Sequence, residues 1–119
     1  MKDFRSLKVW EKSHALTLAI YKATEAFPKQ ELYSLNSQIQ RAAVSIPANI
    51  AEGCGKDSDA ELKRYFTIAM GSASELEYLL LLAHDLGYLQ ENIYQPMQND
   101  LVETRKMLNA FIQKLKSIR

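Results

Sequence analysis

Seven apolar residues in one stretch set the terms for this chain. Leu62, Phe66, Ala69, Ala73, Leu76, Leu80 and Ala83 step by 4, 3, 4, 3, 4 and 3. That alternation averages about 3.5 residues, close to the helical period, so all of them share one face of an α-helix. The same stepping recurs elsewhere. Ile39, Ala43, Ile46 and Ile50 follow it, and Val9, Leu16, Ile20, Ala23 and Phe27 fall on one such face. Met97, Leu101, Thr104, Leu108, Phe111, Leu115 and Ile118 follow it with one polar member. A helix with an apolar stripe must bury that stripe against another element. Four such helices on short connections predict an all-α, antiparallel up-down-up-down four-helix bundle.

The punctuation agrees with the period. Helices are expected over approximately 7–27, 32–54, 59–86 and 91–118, within a single domain spanning 1–119. Ser6 is placed to cap the first, and Pro28 ends it by pushing its predecessor out of the α region. Gly53-Cys54-Gly55 stops the second. Ser58-Asp59-Ala60-Glu61 has the form of a capping box for the third, which Gly87 stops. Pro96 either starts the fourth helix or kinks it. Gly and Pro are 4 and 3 of 119 residues, too few turn formers for an all-β sandwich or barrel.

Net charge is only +1, but it is unevenly spread. Residues 65–104 contain no Lys or Arg and six acids: Glu75, Glu77, Asp85, Glu91, Asp100 and Glu103. Residues 105–119 then carry Arg105, Lys106, Lys114, Lys116 and Arg119 without an acid. This suits a solvated helix end facing its own negative dipole. It also suits a nucleic-acid contact patch. The single cysteine, Cys54, excludes an internal disulfide framework. No signal-peptide core precedes the first helix, and the longest apolar run, residues 78–83, is too short to span a bilayer. A cytoplasmic, reduced protein without a membrane partner is the expectation.

Catalytic constellations are sparse. Glu11 and His14 have the E-x-x-H spacing of di-iron bundles, but Leu81 stands where His84 would need its glutamate. There is no zinc-ligand cluster and no phosphate-binding glycine loop. Neither histidine has an arginine four to six residues before it, as helical HEPN-type nucleases require. Ser45 has no sequence-defined base, and Cys54 sits in a glycine loop. A non-enzyme with no catalytic residue, metal or cofactor is expected.

The second helix is less ordinary. Gln38, Arg41, Ser45, Asn49 and Glu52 form a polar stripe beside the isoleucine seam. Pro47 interrupts the same helix and frees the carbonyl of Ala43, with Ser45 or Asn49 near enough to satisfy the disturbed backbone. An antiparallel third helix would bring Arg41 level with Ser72 and within reach of Glu75, as a partly buried ion pair that fixes register. A polar network of Gln38, Arg41, Ser45, Asn49, Glu52, Ser72 and Glu75 follows, inside the chain or between chains. The third helix has a second apolar face (Tyr65, Ile68, Leu79, Leu82, Leu86), which either widens the core or covers another copy.

These residues also carry a family likeness. The run from Gln38 to Gly53, QIQRAAVSIPANIAEG, resembles the signature of the four-helix-bundle proteins encoded in intervening sequences of bacterial 23S rRNA genes. Leu7-Lys8-Val9-Trp10, Phe27-Pro28, residues 31–35, residues 68–77 and Leu86-Gly87-Tyr88-Leu89 fit the same pattern, while Gln40 stands where a second basic residue is expected. The family is often labelled S23 ribosomal protein, a label describing gene location. It is similar to the accessory variability protein of diversity-generating retroelements, a pentamer that binds nucleic acid and a reverse transcriptase. The resemblance implies a homopentamer, and no catalytic residues come with it. Two functions are in view. One is a pentameric nucleic-acid-binding or scaffold protein acting on structured RNA or DNA through Arg105, Lys106, Lys114, Lys116 and Arg119, with a nucleic-acid-processing protein as a further partner. The other is a protein-interaction adaptor without nucleic-acid contact. Tyr88 and Tyr94 are the candidates for base stacking, or else caps on the bundle end.

Overall fold

The structure, a computed structural model, describes residues 2–117. Four long helices carry it: α1 Lys8–Thr24, α2 Leu35–Cys54, α3 Asp59–Asp85 and α4 Glu91–Ser117. Short 3-10 turns at Phe4–Ser6 and Lys29–Glu31 precede α1 and α2, and no strand occurs among the described residues. Arg119 and the expected helix end at Ile118 lie outside the described residues.

Local chemistry explains most of the helix ends. The Ser58 hydroxyl accepts from the Glu61 N–H at 3.1 Å and starts α3. Gly87, at φ +83°, ends it in a left-handed turn. There the Tyr88 N–H reaches the Ala83 carbonyl at 2.9 Å and the Gly87 N–H reaches His84 at 3.0 Å. The first helix is shorter than expected. Before Pro28 its last turn tightens to i→i−3 bonds, such as Phe27 to Thr24 at 3.1 Å, which turns Phe27 into the core. Residues 29–34 are used in the 3-10 turn and the following bend, so α2 starts at Leu35 rather than at 32. Ser6 does not cap α1. It donates to the Asp3 carbonyl at 2.7 Å, and Leu7 occupies the cap position without a side-chain bond. Pro96 neither starts α4 nor breaks it. The helix is continuous from Glu91, and the carbonyl that Pro96 leaves unpaired belongs to exposed Asn92.

Each helix packs on two neighbours, α1 on α2 and α4, α3 on α2 and α4. Cross-contacts run in opposite chain directions at every seam. Thr17 meets Ala43 while Thr24 meets Asn36. Ser45 meets Ser72, Phe66 meets Phe111, and His84 meets Tyr94. The result is an antiparallel bundle of 47 × 23 × 20 Å. Every member of the α3 and α2 seams is buried. In α4 one position of the seam is exchanged: Ile112 is buried in place of Phe111, which moves to the edge against Phe66, while Leu108 and Leu115 stay buried as expected. Thr104, the polar member, is fully buried and donates to the Asp100 carbonyl at 2.8 Å. On length and composition alone α3 is apolar enough to cross a membrane, but its seam is spent on the bundle core.

The proline in α2 is accommodated from α1. Pro47 has no N–H for the Ala43 carbonyl. Thr17 Oγ1 approaches that oxygen at 3.1 Å while also reaching its own Ser13 carbonyl at 2.8 Å. Asn49 serves a different acceptor, with Nδ2 donating to the Ser45 carbonyl at 2.7 Å.

Candidate nucleic-acid interface and polar network

The polar stripe of α2 divides in two. Ser45, Asn49 and Ser72 come together, half-buried, at the α2–α3 seam. The Ser45 and Ser72 hydroxyls are 2.7 Å apart, and Asn49 Nδ2 donates to Ser45 Oγ at 2.9 Å. This register places Gly53 against Leu62 and Tyr65, where an added Cβ would lie 3.0 Å from the Tyr65 Cβ. Gln38, Arg41, Glu52 and Glu75 instead face solvent. The expected partly buried Arg41–Glu75 pair does not form among the described residues. Arg41 lies one turn before Ser45. At about 100° per residue, four residues carry it about 40° around the helix, toward solvent.

The second face of α3 also divides. Leu79 is buried within the chain, and Tyr65 and Leu82 are half-buried. Ile68 and Leu86 remain exposed, with Tyr78 and Leu81 beside them.

The basic run of α4 is not one surface. Arg105 reaches across to α3 and pairs with Glu77, and its Nε is buried without a partner. It is a strut between helices, which removes it from the expected contact patch. Lys106, Lys114 and Lys116 are exposed around the outer side of α4. The antiparallel topology brings a cation from the other end of the sequence to join them. Lys8 and Lys114 line one groove of about 360 Å³, floored by Leu7, Val9, Met107 and Phe111. Arg5, Lys56 and Arg64 gather at the same end, each over an aromatic ring: Arg5 over Phe4, and Lys56 and Arg64 over Tyr65. Sequence order hid this grouping, because its members come from three stretches of the chain, around residues 5–8, 56–64 and 106–116. The alternating helix directions were the signal that would have collected them.

Tyr88 and Tyr94 are committed to the opposite end of the bundle. The Tyr88 hydroxyl donates to Glu31 Oε2 at 2.9 Å, and that bond pushes its pKa above the ordinary value. Its ring packs on Phe27. Tyr94 stacks on His84, centroids 4.2 Å apart, and its hydroxyl accepts from Gln98 at 2.7 Å. His84 Nε2 meets Glu91 at 2.9 Å. The exposed aromatics are others: Tyr33, 92% exposed on the turn before α2, with Tyr78 and Tyr21. Their positions on a turn and on helix exteriors could not be told from core positions by residue type alone.

No group of three or more potential metal ligands occurs among the described residues. His14, half of the E-x-x-H pair, stacks on Trp10 at 4.8 Å. Cys54 is buried, and desolvation raises its thiol pKa.

The comparisons with known proteins bear on the fold and the family. Residues 5–110 match the family described as the 23S rRNA-intervening sequence protein. A crystal structure from Bacteroides thetaiotaomicron, of a protein with unknown function from the S23 ribosomal protein family, is similar at a TM-score of 0.79 and 32% identity. The match covers 87% of this chain and 97% of that one. No curated protein matches the sequence.

Proposed function

This chain belongs to the 23S rRNA-intervening sequence protein family, and we propose that it acts as a non-enzymatic, homo-oligomeric scaffold that binds structured RNA. The observation that carries this reading is the basic end of the bundle, where Lys8 and Lys114 share a groove and Lys106 and Lys116 stand exposed beside it on α4. Phosphate recognition needs solvent-exposed cations more than it needs a cavity, and this end carries Lys8, Lys106, Lys114 and Lys116 at exposed positions. A single copy is nearly neutral, so its field is weak. A ring of copies, a homopentamer in this reading, repeats the patch and sums the field.

Self-association draws on the outer side of the α2–α3 pair. Exposed Ile68 and Leu86 supply apolar area there. Arg41, Glu52 and Glu75, of both signs and without ion-pair partners among the described residues, supply complementary charge on the same side. The reading assigns no catalytic residue, metal or cofactor, and a cytoplasmic setting.

The test is charge reversal. Lys8→Glu, Lys114→Glu and Lys116→Glu together should abolish binding to a structured rRNA fragment and leave helicity unchanged. Unchanged affinity in the triple variant would overturn the reading. The adaptor alternative rests on Tyr78 and Leu81, apolar and exposed on the outer side of α3. It requires a protein partner that is retained after nuclease treatment and lost on Leu81→Glu.

A further inference from the structure

The half of the α1–α4 seam away from the basic end holds a trough of about 560 Å³ that the scaffold reading does not use. Its α1 wall is made by Ala19, Ala23 and Ala26, none of them long enough to cover the seam. Ile93, Pro96 and Met97 make the α4 wall. Met97 is buried, but Ile93 is 43% exposed and Pro96 is exposed beside it. Apolar surface is thus left to water on a concave face, in a volume within the range of about 300–1,000 Å³ that small-molecule sites occupy.

The trough is stopped at both ends. At one, Lys12 Nζ crosses from α1 to Asp100 Oδ1 of α4 at 3.5 Å, and Asp100 is itself in the wall. At the other stand Gln90 and Tyr88, the latter tied by its hydroxyl to Glu31. Between these stops α4 rises about 12 Å from Asn92 to Asp100 at 1.5 Å per residue. Such a site takes a small molecule whole, not one stretch of a longer chain. Its charge is one-sided. Lys12 answers Asp100, so the charge left in the wall is Lys22, exposed and without an ion-pair partner among the described residues. The start of α4 adds to it. The Ile93 and Tyr94 N–H groups bond the Gln90 carbonyl at 3.0 and 2.9 Å, so the positive end of the helix dipole lies at Gln90 and Asn92, both in the wall. Glu91, the acid of that turn, is engaged on the α3 side by His84 Nε2 at 2.9 Å.

We propose that this trough binds a small anionic amphiphile, a free medium-chain carboxylate, with its chain against the alanine, Ile93 and Met97 walls and its carboxylate drawn to Lys22. The two parts of the ligand answer the two parts of the site. Burial of the chain supplies the affinity, about fourfold for each methylene taken from water. The cation supplies the selection. Lys22 is exposed, so its preference for a carboxylate over a neutral head of the same chain is at most about fivefold. A cationic head is disfavoured by the same residue and by the α4 dipole.

The proposal is independent of RNA binding. Its test is calorimetric titration of the full chain with decanoate below its micelle concentration, with octanoate and decanol run in parallel. The expected result is one decanoate per chain, with octanoate about fifteenfold weaker and decanol up to about fivefold weaker. Lys22→Gln should bring decanoate down to the level of decanol and leave decanol unchanged. Ile93→Glu puts a carboxylate into the trough in the first turn of α4, where an acid favours the helix, so binding should be lost with the fold intact. Decanoate bound equally by the wild type and Ile93→Glu overturns the proposal, as does equal affinity for decanoate and decanol in the wild type. Binding of neither compound also overturns it. If Ile93→Glu then lowers the mass by light scattering, the trough is a contact between copies of the chain. Binding only to vesicles that carry the carboxylate overturns it in favour of a membrane surface.

Discussion

Replacing Thr17 with valine isolates the bond that makes room for a proline inside α2. The side chain is almost isosteric and lies in the α1–α2 seam, 8% exposed. The Ala43 carbonyl has no N–H partner at Pro47, and Thr17 Oγ1, 3.1 Å away, shares its single proton between that oxygen and the nearer Ser13 carbonyl at 2.8 Å. Thr17→Val leaves that buried oxygen unpaired, at a cost of about 1–3 kcal/mol. The added methyl returns up to about 0.8 kcal/mol of burial. The net loss is about 1–2 kcal/mol, which lowers Tm by roughly 4–10 °C in a domain of this size. The decisive assay is a double-mutant cycle with Pro47→Ala, followed by urea denaturation at constant m-value. Alanine at 47 restores an N–H to the Ala43 carbonyl, so Thr17→Val should then cost less than about 0.5 kcal/mol. A coupling of about 1 kcal/mol supports the argument. An equal cost of Thr17→Val in both backgrounds would refute it, because the hydroxyl would then have no tie to the proline.

Other expectations follow from the same geometry. Gly87→Ala places a Cβ at φ +83° and should cost about 1–2 kcal/mol by thermal melting. Gly71→Ala, helical and with nothing within 4 Å of its Cβ, should stabilise the fold by about 0.5–1 kcal/mol. Arg105→Ala should lower Tm by breaking the tie to Glu77 but leave the affinity for structured RNA unchanged, whereas Lys116→Glu should do the reverse. The thiol of Cys54 and the hydroxyl of Tyr88 both hold their protons more tightly folded than unfolded. Each therefore contributes stability that is fully present below its unfolded pKa and lost as pH rises through its folded one. Stability should fall on the alkaline side, beginning near the ordinary thiol value of 9.0. In a pH series of urea midpoints, Cys54→Ala and Tyr88→Phe should each flatten that fall, and an unchanged profile in the double variant would count against both assignments.

The seams of α2 and α3 were legible because heptad-like stepping is a property of local sequence, and every residue so assigned is buried. The capping box at Ser58 and the stop at Gly87 were equally local. What escaped was set by relations between distant segments. The donor for the Ala43 carbonyl came from Thr17, twenty-six residues earlier, while the nearby Asn49 served Ser45. Arg105 read as a member of a basic run because its partner, Glu77, lies one helix away. The drift of Arg41 out of the α2–α3 seam follows from the angle between turns, which the spacing of residues alone understates. Among the candidate site residues, Ser45 and Asn49, one turn apart on α2, were brought together with Ser72 by the antiparallel α2–α3 register, whereas the contribution of Lys8 to the basic end required the folded topology of α1 and α4.

The measurement that bears most directly on the scaffold reading is anisotropy binding of the purified protein to a structured rRNA fragment and to length-matched DNA across a salt series. The account predicts tight RNA binding at low salt with a steep negative log–log slope, whose value counts the phosphates engaged. Absence of binding to either nucleic acid at low salt would contradict it.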